Sequence, residues 1–210
     1  MVAYSMQVGQ LGTNCYLFGD EEAGVCAVVD PGDEAPKIAK MIEQSGLTLK
    51  YILVTHGHYD HVFALSALWS LYPEAEVYVH PEEVDLSGAP QNYMKLGDPR
   101  PFHYCHDGDI LPLGSLQIEV MNTPGHSKGS LVFKVEDCLF AGDTLFAGSC
   151  GRTDFAGGNH REMLHSLKRL HDLEGDYRVF PGHDTPTTLE AERKRNPYMA
   201  EAISAAKAGG

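Results

Sequence analysis

Three histidines and an aspartate, His56, His58, Asp60 and His61, follow directly on the apolar run Tyr51, Ile52, Leu53, Val54. Imidazole suits zinc or iron, and a carboxylate can end or bridge a coordination shell. Clustered histidines also occur on solvated surfaces. A cluster set at the end of a buried strand is different, because four such side chains are costly to bury without a cation among them. The chemistry this points to is metal binding.

The spacing constrains what must hold these groups. The run before them has the β-branched and aromatic bias and short length of a buried strand. His56, Gly57 and His58 break it, and apolar residues return at Val62, Leu65, Leu68 and Trp69 with helical spacing. His56 and His58 are therefore expected on a loop, and His61 at the opening of one helix running to Leu71. Histidines two apart do not share a helix face, but a loop at a strand end can aim them together. Asp60 and His61 can then face a second point.

The same grammar recurs downstream. Leu116 to Met121 runs into Thr123-Pro124-Gly125-His126, and the expected hairpin Leu131–Val135 and Cys138–Ala141 delivers Gly142-Asp143-Thr144. Tyr177 to Phe180 ends in Pro181-Gly182-His183-Asp184. Four strand ends thus carry candidate ligands: His56 with His58, His126, Asp143 and His183.

The remaining elements read as a frame. Val2–Val8, Asn14–Phe18 and Val25–Val29, punctuated by glycines, predict an opening β-meander. Pro36 to Gln44 carries Ile38, Met41 and Ile42 at helical spacing and ends at Gly46. Val77–Val79 is a short strand, and the Pro- and Gly-rich stretch Pro81 to Arg100 reads as a lid-like excursion. Glu162–His171 is an amphipathic helix. Leu189 to Ala208 is helical with an interruption at Asn196 and Pro197. A strand-rich half followed by another fits an internal duplication.

A chain of 210 residues is expected to form one domain, 1–210. Its 16 Lys plus Arg against 29 Asp plus Glu give a net charge of −13, which disfavours nucleic acid and anionic membranes as partners and leaves a small molecule as the expected substrate. Cys15, Cys26, Cys105, Cys138 and Cys150 are odd in number and lack a C-x-x-C pair, so no disulfide framework is indicated. The N-terminus lacks a secretory pattern. A reducing, cytoplasmic setting is the expectation.

The motif H-x-H-x-D-H at His56–His61, followed in order by TPGH, AGDT and PGHD, resembles the metallo-β-lactamase superfamily along nearly the whole chain. That resemblance implies an α/β fold, a four-layer αβ/βα sandwich with the metal site at the edge of two packed sheets. By matching position it implies that His56, His58 and His126 hold one metal and that Asp60, His61 and His183 hold a second, with Asp143 bridging. The cofactors implied are two divalent ions, zinc first, with iron or manganese as alternatives. A metal-bridged hydroxide would attack, with Asp60 and Asp143 as the catalytic carboxylates. Arg152, on the Gly-rich loop after Asp143, either binds an anionic substrate group or pairs with Asp154. His80, His103, His106, His160, His165 and His171 are expected outside the site, and Cys150 is expected as a small buried residue.

Within the superfamily, Asp143 and His61 point away from β-lactamases that place a cysteine in the second site, and His58 away from flavodiiron proteins. The stretch GDTLFAGSCGRTDFAGGN is similar to glyoxalase-II-like hydrolases, and its CGRTDF also to persulfide dioxygenases. The first implies thioester hydrolysis at a dinuclear site. The second implies one redox iron on His56, His126 and Asp143. A non-catalytic metal-binding scaffold is the third reading. Thr185 stands where glyoxalase II has a tyrosine, and Arg193-Lys194-Arg195 is the single basic cluster after His183, expected as a solvated face. Weak activity on glutathione thioesters is the expectation from that C-terminus.

Overall fold

The computed structural model describes residues 1–85, 89–94 and 101–208. Its first half places β1 (Val2–Val8), β2 (Thr13–Asp20), β3 (Val25–Val29), α1 (Ala35–Ser45), β4 (Thr48–Leu53), α2 (Tyr59–Val62), α3 (Leu65–Leu71), β5 (Glu76–Val79), α4 (Pro81–Asp85) and β6 (His103–Tyr104) in order. The second half continues with β7 (Ile110–Leu113), β8 (Leu116–Asn122), β9 (Leu131–Val135), β10 (Cys138–Gly142), α5 (His160–His171), β11 (Arg178–Pro181), β12 (Thr187–Thr188), α6 (Leu189–Arg195) and α7 (Pro197–Ala208).

Two six-stranded sheets result, ordered β1-β2-β3-β4-β5-β6 and β12-β11-β10-β9-β8-β7. The first three strands of each half-sheet meander antiparallel. β4, β5 and β6 then join the first sheet parallel, and β11 joins the second parallel to β10. Three apolar clusters define four layers. Ile38, Ile42, Leu68 and Trp69 pack α1 and α3 on the outer face of the first sheet. Tyr16, Phe18, Leu53, Ile118, Phe133 and Phe140 fill the space between the sheets. Met163, Leu167, Leu170 and Met199 pack α5 and α7 on the far face of the second sheet. Alternation along the strands forces this arrangement, since successive residues face opposite sides and both sides are covered. The expected αβ/βα sandwich is what the structure shows.

The middle layer is anchored by aromatic rings. Phe140 stacks on Phe18 at 4.7 Å and on Phe180 at 5.2 Å, and meets the edge of Tyr16 at 5.5 Å. Truncating this fully buried ring to alanine would cost about 3–5 kcal/mol. Tyr16 Oη also donates to the Pro181 carbonyl at 2.6 Å, and Asn14 Nδ2 donates to the Pro181 and Asp184 carbonyls at 3.0 and 2.9 Å. The PGHD turn of the second sheet is thereby tied to β2 of the first.

Two differences from the sequence reading have identifiable causes. The helix expected from Val62 to Leu71 is two, because the Ala64 amide bonds to the Pro31 carbonyl at 3.0 Å and leaves α2 as a single turn. The short strands β6, β7 and β12 carried too few alternating residues to register in the sequence. Of the expected lid, 86–88 and 95–100 lie outside the described residues. Its described parts are α4 and a segment around Asn92 that bridges to His58. Among the described residues no helix is long and apolar enough to cross a membrane.

Candidate metal centre

All seven sequence-selected ligands arrive at one edge of the sandwich. The ligand nitrogens of His56, His58 and His126 lie within 4.8 Å of one another, as do the ligand atoms of Asp60, His61 and His183. Asp143, following β10, lies between the groups. Its Oδ1 is 3.4 Å from His61 Nε2, and its Oδ2 is 3.4 Å from His126 Nε2 and 3.7 Å from His183 Nε2. Gly182 makes this approach possible, since a Cβ there would lie 2.3 Å from Asp143 Oδ1 and 2.6 Å from a His61 ring carbon.

The outer contacts decide which nitrogen of each ring is free. Thr55 Oγ1 gives its proton to Asp30 Oδ2 at 2.7 Å, so the 3.0 Å contact with His56 Nδ1 is donated by the imidazole. His61 Nδ1 donates to the same Asp30 oxygen at 2.8 Å, and His126 Nδ1 donates to the Arg152 carbonyl at 2.8 Å. Each ring turns Nε2 inward, and in neutral His56 and His126 that nitrogen keeps its lone pair. His56 Nε2 and His126 Nε2 then stand 3.2 Å apart, with His58 Nδ1 2.8 Å from His126 Nε2. Lone pairs facing one another at these distances repel unless a cation or proton lies between them. His61 Nε2 and Asp143 Oδ1 are moreover buried without a hydrogen-bond partner. Buried polar atoms are paired as a rule, so this donor set fits divalent cations.

Ionisation follows the same division. Burial, reinforced by the neighbouring imidazoles, pushes His56 well below the ordinary histidine value, and burial with His126 and His61 pushes His58 down to about 4. Both rings are neutral at pH 7, the form in which imidazole can take a metal. Burial opposes charge on His61 too, but the Asp143, Asp30 and Asp60 carboxylates outweigh it and raise that ring to about 9. Burial raises the Asp60 carboxyl, yet the His183 hydrogen bond, the His61 charge and the Thr13 hydroxyl at 2.9 Å hold it well below the usual carboxylate range. Burial lowers His183, and the Asp60 hydrogen bond and the Asp143 charge override it upward. The second half of the site is therefore carboxylate-rich and favours positive charge on its imidazoles, which a cation would replace.

Arg152 sits at the rim. Its Nε and Nη2 each lie 2.7 Å from Asp154, and its guanidinium stacks 3.8 Å over the Phe155 ring, whose edge faces His58 at 5.7 Å. Its main chain, through His126, is the part that enters the site. Cys150 is half-buried, and burial followed by the Glu201 charge raises its thiol to about 11, which leaves it protonated and unreactive at neutral pH. Arg193 is not on a solvated face as expected: its guanidinium donates to the carbonyls of His171 at 2.9 Å, Gly175 at 2.6 Å and Leu173, closing the end of α5. Among the described residues a third such group joins Asp30 to His56 and His61, and the six other histidines fall in none of the three.

Two participants escaped the sequence reading. Asp30 is 1 % exposed and organises Thr55 and His61 together. A lone aspartate closing an apolar strand, as in Val28-Val29-Asp30-Pro31-Gly32, was the available signal. Glu83, fully buried on α4, gave none, because Glu82-Glu83 reads as a solvated pair in a helix turn.

Residues 8–183 match the profile described as the Metallo-beta-lactamase superfamily. The hydroxyacylglutathione hydrolase GloC of Haemophilus influenzae is 34% identical, the match covering 89% of this chain and 92% of GloC. Among solved structures, ETHE1 of Myxococcus xanthus superposes with a TM-score of 0.80 at 30% identity, covering 94% of this chain and 84% of that one. TTHA1623, crystallised in a di-iron-bound form, superposes at 0.81 with 34% identity over 93% of this chain and 100% of its own.

Proposed function

The chain belongs to the metallo-β-lactamase superfamily, and on that premise we propose that it is a metal-dependent hydrolase that cleaves an acyl thioester. The observation that carries this is the Asp143 carboxylate, whose two oxygens face His61 on one side and His126 with His183 on the other. A bridging carboxylate between two complete three-ligand sets favours a dinuclear centre. His56, His58 and His126 would hold one divalent ion and Asp60, His61 and His183 the other, with zinc as the first choice and iron or manganese as alternatives. Two such cations supply a nucleophile from water at neutral pH and Lewis acidity toward a carbonyl oxygen.

The protein's own groups do the rest. Asp30, Thr55 and the Arg152 carbonyl fix the tautomers of three imidazoles, so the site is preorganised before substrate arrives. Asp60, kept ionised by His183, His61 and Thr13, with Oδ2 3.2 Å from His183 Nε2, would offer the second ion a charged oxygen at neutral pH. A thiolate is a good leaving group and departs without a strong acid beside it. Arg152 is proposed as the contact for an anionic group of the substrate, exchanging Asp154 for that group. The resemblance to GloC makes glutathione thioesters the first substrates to try. The free cysteines support the cytoplasm as the compartment.

The similarity to ETHE1 together with CGRTDF favours a second reading, sulfur oxidation at one iron on His56, His126 and Asp143. The intact Asp60, His61, His183 set weighs toward hydrolysis. The test is thiol release from acyl thioesters by protein stripped with a chelator and reloaded with zinc. Activity that vanishes on stripping and returns with zinc is expected. Equal activity in the stripped protein would contradict the mechanism.

A further inference from the structure

The two loops that carry the first ligand set meet at one buried carboxylate. Glu83, on α4 and fully buried, accepts the Gly57 amide on Oε2 at 2.7 Å and the Gly129 amide on Oε1 at 2.8 Å. Gly57 lies between His56 and His58; Gly129 closes the turn that begins at His126. We infer that Glu83 is a positioning residue of the metal centre: its single carboxylate fixes the separation of the His56–His58 loop from the His126 loop without touching any ligand. This inference rests on the proposed metal centre.

The surroundings of Glu83 are built around that role. Asn92 Nδ2 donates to the Glu83 carbonyl at 2.9 Å and reaches Oε2 at 3.4 Å, while Asn92 Oδ1 accepts the Met94 amide at 2.9 Å. The same segment bonds the loop directly, with the Tyr93 amide on the Gly57 carbonyl at 2.8 Å and the Tyr59 amide on the Gln91 carbonyl at 3.1 Å. Both glycines are needed for the close approach. A Cβ on Gly57 would lie 2.4 Å from Asn92 Nδ2, and one on Gly129 would lie 2.8 Å from Glu83 Cγ. A buried carboxylate is an expensive group, tolerated where its oxygens are satisfied. Here the satisfying donors are the backbone amides of two loops, one 26 residues before Glu83 and the other 46 residues after it.

A comparable carboxylate in the other half provides a control. Glu192 on α6 is also buried, and accepts the Gly148 amide at 2.7 Å, Thr187 Oγ1 at 2.7 Å and Asn196 Nδ2 at 2.9 Å. It steadies the loop after Asp143 and has no bond to either His-bearing loop of the first set.

The experiment is zinc affinity by chelator competition for Glu83→Gln, measured in two backgrounds: His183→Ala, which leaves the first ligand set whole, and His58→Ala, which leaves the second. A glutamine keeps the shape but offers one acceptor oxygen, so one of the two loop contacts must open. The expected result is a roughly 10–100-fold loss in the His183→Ala background, the range for losing an outer contact, with little change in the His58→Ala background. Glu192→Gln should lower the melting temperature without that loss. Equal weakening in both backgrounds, or none in either, would overturn the inference. Should Glu83→Gln not fold, amide hydrogen exchange of the native protein decides: protection of both Gly57 and Gly129, which lie outside the strand ladders, supports the clamp, and free exchange at either removes it. Failure of the native protein to bind zinc at all, with both amides still protected, would strike the metal reading and overturn the role of Glu83 toward it.

Discussion

His61 Nδ1 stands 2.8 Å from Asp30 Oδ2, and the opposite nitrogen of the same ring is buried without a partner 3.4 Å from Asp143 Oδ1. One carboxylate orients the imidazole and the other faces the nitrogen that a cation or a proton would occupy. Asp30 also accepts the Thr55 amide at 2.8 Å and, through the Thr55 hydroxyl, sets the tautomer of His56. A residue that is not in either proposed ligand triad therefore governs one histidine in each.

Asp30→Ala should destabilise the fold and weaken the centre together. It leaves two buried donors and the His61 ring unpartnered, at about 1–3 kcal/mol for each unmet group. Denaturant unfolding and zinc competition on the same variant check this. A variant as stable and as zinc-avid as the native protein would contradict the assignment.

Arg152→Ala should change the melting temperature little, since the Asp154 pair is exposed. The carbonyl that holds His126 survives the substitution. If the guanidinium receives an anionic substrate group, KM rises for charged thioesters and much less for neutral ones. An equal loss on both would leave Arg152 to its ion pair and its stacking on Phe155.

Asp20 supplies a pH prediction away from the centre. Its Oδ2 accepts the Ser115 amide and hydroxyl, both at 2.7 Å, which ties β2 to the β7–β8 turn. The Ser115 amide, the Ser115 hydroxyl and the Ala23 amide lower its carboxyl to about 2. A carboxyl depressed on folding stabilises the native state above its unfolded value of about 4, and that contribution fades as pH falls toward 2. Asp20→Asn should thus be less stable than the native protein at pH 7, with the gap narrowing below pH 4 in denaturant unfolding. A gap that widens with acid would contradict the sign.

Most of the fold was legible because alternating apolar strands and the α1, α5 and α7 patterns are long enough to carry their periods. The ligands were legible because each closes such a strand at a Gly-bearing turn. What stayed hidden acts through main chain. Glu83 grips two amides and the Arg152 carbonyl grips a ring, and neither contact depends on a pattern of residue types. The split between α2 and α3 was hidden for the same reason, since a carbonyl of Pro31 makes it.

The C-terminus yields a substrate prediction. With Arg193 engaged on three carbonyls and Lys194 paired to Glu190, the basic cluster has little to offer an incoming peptide. Glutathione thioesters should be cleaved with no more than about tenfold higher kcat/KM than small thioesters lacking the peptide, since side chains already engaged contribute little remote binding energy. Matched kinetics under equal zinc loading check it. A strong preference for the glutathione conjugate would show that another surface binds it.

The most direct measurement follows thiol release from a thioester and oxygen uptake with a persulfide, on one sample purified without added metal and of measured metal content. The expected result is close to two divalent ions per chain, thioester cleavage that tracks their occupancy, and no oxygen uptake. One iron per chain with persulfide-dependent oxygen consumption and no thiol release would contradict it.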